Sequence, residues 1–203
     1  MYSVYSKMFG ACEIVKSYNK SFNIELDDIL LSINKKTKLI AISNPGHNGI
    51  LIKIDLLKQI LSHAKKNNIL VIIDEAYIEF SGPSLVSEIQ EHENLVIIRT
   101  MSKAFGLASL RIGFLISSSS IINELYKVKP VHEISGLSAK IGTFLINNES
   151  IKDKYLKSVL EGKKVLLDFF NERNIKCIRT DANFMFFKPN SNIDVDKIHE
   201  SLD

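Results

Sequence analysis

The sequence predicts an α/β domain built on a mostly parallel sheet with helices on both faces. Three observations predict it. Runs with continuous apolar stretches, at residues 38–43, 69–73 and 95–98, have the composition of strands buried on both sides. Stretches with apolar residues at helical spacing lie between them, so consecutive strands need crossover connections. Polar and charged residues gather just past the strand ends, where open α/β sheets hold their ligands.

The elements follow in order. Residues 1–23 are mixed, with a short helix expected at 4–11 and a short strand at 13–17. Residues 26–33 have helical apolar spacing, and Asp27 and Asp28 suit a first turn, where free backbone N–H groups attract negative charge. The run at 38–43 ends in Asn44-Pro-Gly-His-Asn-Gly49, a loop by composition. Leu56, Leu57, Ile60, Leu61 and Ala64 mark one face of a helix, which the polar run 65–68 closes. The second strand, 69–73, leads into Asp74-Glu-Ala-Tyr77. Residues 81–84 are loop and 85–90 a short helix. The third strand, 95–98, opens into the polar segment 99–103, and a fourth is expected at 112–116. The serines at 117–120 read as a loop and helix N-cap ahead of a helix at 121–128, which Pro130 breaks. Two more helices are expected at 135–147 and 150–171, the second with Leu156, Val159, Leu160, Leu166 and Phe170 on one face. Residues 176–178 and 183–187 read as strands and 194–202 as a further helix. The chain thus divides into a large domain over residues 1–172 and the start of a smaller α+β domain over 173–203.

Composition narrows the function classes. The 203 residues are 45% hydrophobic, enough for a sizeable core, and the net charge is only +3 with the lysines dispersed. That favours no nucleic-acid partner. Cys12 and Cys177 lie far apart with no C-x-x-C pair, which predicts a reduced, cytoplasmic chain. No apolar run reaches the length that spans a bilayer, and the first residues lack the apolar core of a signal peptide, so no membrane partner is expected.

The strand ends carry the candidate chemistry. Asp74 follows a fully apolar strand, so its carboxylate needs a partner; a cap, an ion pair or a ligand would each serve. Tyr77 stands three residues on, where its hydroxyl reaches the same cleft or its ring fills the rim. Lys103 closes the polar segment that follows the third strand. A lone lysine is ordinarily a surface residue, but an amine held near a buried strand end suits imine chemistry. Thr100, Ser102 and Arg111 add two hydroxyls and a fixed cation, a set that suits a phosphate. A phosphorylated aldehyde cofactor needs this combination of amine, carboxylate and phosphate donors.

Residues 74–80, Asp-Glu-Ala-Tyr-Ile-Glu-Phe, and residues 99–114, Arg-Thr-Met-Ser-Lys-Ala-Phe-Gly-Leu-Ala-Ser-Leu-Arg-Ile-Gly-Phe, carry a family resemblance. Residues 1–4 and the segment Asp181-Ala-Asn-Phe-Met-Phe-Phe187 add weaker matches. Together they resemble the fold-type I, class I/II pyridoxal-phosphate aminotransferases, most nearly the histidinol-phosphate aminotransferases. The resemblance implies the large domain of that fold, a role in amino-acid biosynthesis, and amino transfer from a small amine donor to a 2-oxo acceptor. It implies pyridoxal 5'-phosphate as cofactor, held by Lys103 as a Schiff base. Asp74 would pair with the pyridinium nitrogen, Tyr77 with the phenolic oxygen, and Thr100, Ser102 and Arg111 with the phosphate. It also implies a homodimer.

The chain departs from that pattern in three places. The loop at 44–49 is one residue shorter than the family's Asn-Pro-x-Asn-Pro-Thr-Gly. By the resemblance Asn48 would take the cofactor-contacting asparagine's role after a shift, while His47 stands at the expected count; a loop histidine facing water is its ordinary reading. The family's N-terminal phosphate turn, ring-stacking aromatic and shared tyrosine find no counterpart, and neither does its C-terminal carboxylate-binding arginine. The chain therefore matches the central part of such an enzyme. Two readings compete with aminotransfer: a decarboxylase or carbon–sulfur lyase on the same scaffold, and an inactive remnant.

Overall fold

A computed structural model describes residues 2–19, 22–131, 133–188 and 200. β1 (Leu39–Ser43), β2 (Leu70–Asp74), β3 (Leu95–Thr100) and β4 (Gly113–Ser117) form one sheet in that spatial order. The first three strands are parallel, and β4 runs antiparallel to β3. The reversal has a topological cause. Residues 101–112 join β3 to β4 with a single 3₁₀ turn, Ala108–Leu110, and no crossover helix, which a parallel return requires.

Register sorts the side chains. Ile42, Ile73, Ile97 and Ile116 are neighbours across the sheet and share one face. α3 (Ile54–Lys66) packs on that face with Leu57, Ile60, Leu61 and Ala64, all wholly buried. Their spacing is one helical stripe, with Asp55 in the first turn and His63, Lys65 and Lys66 in the last, as the helix dipole favours. Each large apolar side chain removed from water there contributes about 1.5–3 kcal/mol. The opposite face holds Ser43, Asp74, Ile98 and Leu115 in one row. It is less covered: Leu39 and Leu115 remain 48% and 42% exposed.

Around this core the elements follow the expected order with local differences. α1 (Tyr2–Met8) buries no residue, and residues 13–17, expected as a strand, form none. Those residues are exposed with no strand beside them to share a ladder, and an extended segment without that partner leaves its backbone to water. α2 (Leu26–Leu30) is shorter than the 26–33 pattern, and residues 85–90 tighten into a 3₁₀ turn at Val86–Gln90. α4 (Ser119–Tyr126) and α5 (Gly136–Ile146) follow; Ser135 caps α5 by accepting from Ser138 N–H. Of the apolar face expected on α6 (Glu149–Glu172), Phe170 is buried while Leu160 and Leu166 are about half exposed.

β5 (Lys176–Ile178) and β6 (Phe186–Lys188) form a separate antiparallel pair. β6 starts later than the expected 183 because residues 180–184 are taken up by a turn in which the Thr180 hydroxyl donates to Phe184 O. The helix expected at 194–202 falls outside the described residues. No helix among the described residues is long and apolar enough to cross a membrane.

The packing contrast is measurable. Leu61→Ala should lower unfolding free energy in urea by about 2–5 kcal/mol, as for a large side chain removed from a closed core. Leu166→Ala should change it by no more than about 0.5 kcal/mol.

Candidate active site

The carboxyl ends of β2 and β3 lie side by side, with Asp74 opposite Ile98 in the ladder. Strand alternation then sends successive residues to opposite faces. Asp74 shares its face with Ser43 and Ile98, whereas Glu75 and Arg99 continue the face of Ile73 and Ile97.

On the first face the half-buried Asp74 carboxylate accepts from Tyr2 Oη at 2.9 Å through Oδ2 and from Ala76 N–H at 3.1 Å through Oδ1. Burial, followed by the Asp74 charge and hydrogen bond, pushes the Tyr2 phenol well above its ordinary range. Tyr77 is half-buried in the turn past β2. Its ring meets Phe184 edge-on at 5.4 Å between centroids, and Lys103 Nζ lies 5.1 Å from its centre. Among the described residues Lys103 makes no ion pair with a carboxylate. At the end of β3, Thr100 Oγ1 lies 3.0 Å from Ser102 Oγ and accepts from Ser102 N–H at 3.1 Å, so the two hydroxyls form one polar corner. Thr100 Oγ1 also lies 3.3 Å from the Ile112 carbonyl, which draws the chain just after Arg111 to the same corner. Arg111 itself is exposed, in the left-handed region at φ 54°, with Nη1 donating to Ala108 O at 3.2 Å.

The loop after β1 is braced within the protein. Asn48 is buried; its Nδ2 donates to Phe22 O at 2.8 Å and its Oδ1 accepts from Ile50 N–H. Asn44 accepts from Ile52 N–H at 2.7 Å. His47 is exposed. Gly49 has φ +70°, and a Cβ there would collide with Thr180, so a side chain at this position would push the 180–184 turn away. That turn is held on the loop by Asp181, whose Oδ2 accepts from Leu51 N–H at 3.1 Å.

An amine, a carboxylate and a pair of hydroxyls are thus gathered on adjoining strand ends, and residues 1–201 match the family described as aminotransferase class I and II. The chain belongs to that family. The histidinol-phosphate aminotransferase of Thermoanaerobacter sp. (strain X514) is 33% identical, the match covering all of this chain and 56% of that protein. The one from Clostridium kluyveri (strain ATCC 8527) is 34% identical, covering 93% of this chain and 54% of its own. The crystal structure of the histidinol-phosphate aminotransferase from Clostridium acetobutylicum superimposes with a TM-score of 0.89 at 25% identity, over 99% of this chain and 62% of that one. This chain spans a little over half the length of the curated relatives it matches.

Within this member of the class I and II family, the structure brings Lys103 and Tyr77 together and pairs Thr100 with Ser102. Arg111 it leaves one residue away from that corner, and Asn48 it engages locally. Sequence reasoning did not find Tyr2 as the donor to Asp74, because 72 residues separate them. Nor did it find Glu75, Arg99, Glu79 and Lys152, which are linked on the other face. The alternation of β2 and β3 was the available signal for the first two.

The Tyr2–Asp74 contact predicts a pH effect. A phenol held above its ordinary value of 10.0 stabilises the fold fully below pH 10, and that stabilisation is lost as the pH rises through Tyr2's own, higher titration. Tyr2→Phe should remove one late step from the phenolate absorbance titration and flatten the fall of stability above pH 10. If the step lost in Tyr2→Phe lies at the ordinary phenol value of 10.0 instead, the contact does not form.

Proposed function

We propose that this chain carries the cofactor-binding centre of a pyridoxal-phosphate-dependent aminotransferase of the histidinol-phosphate aminotransferase type. The observation that carries the reading is Lys103 Nζ lying 5.1 Å from the centre of the Tyr77 ring, three residues past Asp74 on the neighbouring strand. The donor set fits the cofactor: an amine with no carboxylate partner among the described residues, a carboxylate already accepting an O–H, and two adjoining hydroxyls. When bound, pyridoxal phosphate supplies an aldehyde and an electron sink for a carbanion at the substrate's Cα.

Every other role belongs to the chain. Lys103 would hold the cofactor's aldehyde carbon through its amine and, with substrate bound, would move a proton at Cα as general base and acid. Asp74 keeps a proton on the ring nitrogen by placing its negative charge beside it. Tyr77 donates to the phenolic oxygen. Thr100 and Ser102 would donate to the phosphate, and Arg111 would add its charge through the guanidinium N–H groups not given to Ala108 O. Asn48 keeps a second N–H, beyond the one given to Phe22, for the phenolic oxygen. The substrates are a small amino donor and a 2-oxo or phosphorylated oxo acceptor. The division into a large domain at 1–172 and the start of a small domain at 173–203, a homodimeric assembly and a cytoplasmic location complete the reading.

The test is a visible absorption spectrum of the purified chain with pyridoxal phosphate. The wild type should show a pH-sensitive band that Lys103→Ala lacks, and amino-group transfer should fall by roughly 10²–10⁴-fold or more in the variant. A folded wild type with no band would overturn the reading and favour an inactive remnant. Product formation without consumption of an oxo acceptor would instead assign a decarboxylase or lyase.

A further inference from the structure

Beyond Asp74 and Ile98 the β2–β3 ladder stops, and the two turns that follow carry Tyr77 and Lys103. One backbone bond spans the gap, Glu75 N–H to Ile98 O at 2.8 Å. On the face away from the candidate cofactor, side chains continue the connection. The Glu75 side chain is wholly buried and accepts four donors. Oε2 receives Arg99 Nε and Nη2, each at 3.0 Å, and Ser84 Oγ at 2.8 Å; Oε1 receives Leu85 N–H at 2.8 Å. Arg99 turns its remaining nitrogen, Nη1, to Glu79 Oε1 at 3.3 Å. The other oxygen of Glu79 accepts from Lys152 Nζ, at 3.0 Å, in the first turns of α6. Lys152 Nζ also lies 5.8 Å from the centre of the Phe105 ring, two residues past Lys103. Charges therefore alternate along a chain of four side chains that touches both turns and ends on α6. Burial works against the Lys152 ammonium, but Glu79, joined by the charges of Glu149 and Asp153, outweighs it and raises the pKa of this lysine.

We infer that Glu75, Arg99, Glu79 and Lys152 form a positioning relay, which sets the Tyr77 turn and the Lys103 turn in register with each other and with α6. None of the four needs to touch cofactor or substrate. Each strand sends one residue to the ligand side, Asp74 or Thr100, and its neighbour, Glu75 or Arg99, into the relay. The distance between amine and carboxylate then depends on ion pairs on the reverse face. A displacement of about 1 Å at reacting groups costs on the order of 10²-fold in rate. The relay rests on the proposed function for its catalytic consequence but not for its structural one.

The experiment compares wild type, Lys152→Met and Lys152→Arg. Lys152→Met keeps the apolar stem of a partly exposed side chain and removes only the charge at the end of the relay. Native-state hydrogen exchange should speed up by about tenfold, the effect of losing a hydrogen bond to a charged group, at the amides of Phe80, Gly106 and Leu107. These amides close the two turns by donating to Tyr77, Lys103 and Met101 carbonyls. Amides of α3 should be unchanged, and Lys152→Arg should restore the wild-type pattern. Unchanged exchange in the turns, or acceleration spread evenly into α3, would overturn the relay. This measurement needs no cofactor, so a wild type that forms no visible band defeats the proposed function and leaves the relay to be decided by exchange. Where the band forms, Lys152→Met should weaken cofactor affinity about tenfold, the same loss read at the ligand, with recovery in Lys152→Arg. Loosened turns with unaltered affinity would reduce the four residues to stabilising the fold and would also overturn the inference.

Discussion

The carboxylate of Glu75 has no exposed surface, and the carboxyl end of the sheet is arranged around that fact. A buried charge is tolerated only when its lone pairs are met and an opposite charge lies close. Glu75 has both, from Arg99, Ser84 and the Leu85 amide. These donors come from β3 and from the loop that connects it to β2. The residue that follows the apolar strand therefore ties its own strand to the next one, at the level where backbone pairing ends.

That arrangement follows from the period of a β-strand. Ile73, Asp74 and Glu75 are consecutive, so they face alternate sides: core, ligand side, relay. Ile98, Arg99 and Thr100 repeat the alternation on the neighbouring strand, one register row along. An acidic pair Asp74-Glu75 after a buried strand thus has two separate duties, because its members cannot point the same way. The same logic sets Thr100 beside Ser102 and leaves Arg99 on the reverse face. Stability and site geometry share one sheet edge, and the apolar row of Ile42, Ile73, Ile97 and Ile116 under α3 gives that edge its rigid base.

A second constraint acts from the far end of the chain. The turn at 180–184 sits on the 44–51 loop through the Asp181 contact, and Lys163 of α6 donates to the carbonyls of Thr180 and Ala182 at 2.7 and 2.6 Å. Burial, partly opposed by the nearby Asp181, lowers the pKa of that lysine. Phe184 then reaches the ring of Tyr77. α6 therefore meets the candidate site twice, through Lys152 near its start and through Lys163, past its middle, and the docked turn.

The sequence by itself determined the parallel α/β core, because strand and helix periods are local properties: the runs at 69–73 and 95–98 and the stripe at Leu57, Ile60, Leu61 and Ala64 became β2, β3 and α3. It also determined that Asp74, Tyr77, Thr100, Ser102 and Lys103 stand at or just past strand ends, since a change from apolar to polar marks such an end. Tertiary structure alone decided the rest. The antiparallel direction of β4 depends on a connection too short and irregular for a crossover. Residues 13–17 are no strand, because strand formation needs a neighbour that local composition does not supply. The partners of Asp74, Glu75 and Glu79 come from 72, 24 and 73 residues away, at Tyr2, Arg99 and Lys152. Local pattern shows that a buried carboxylate must find a donor; only the folded chain decides which distant donor arrives.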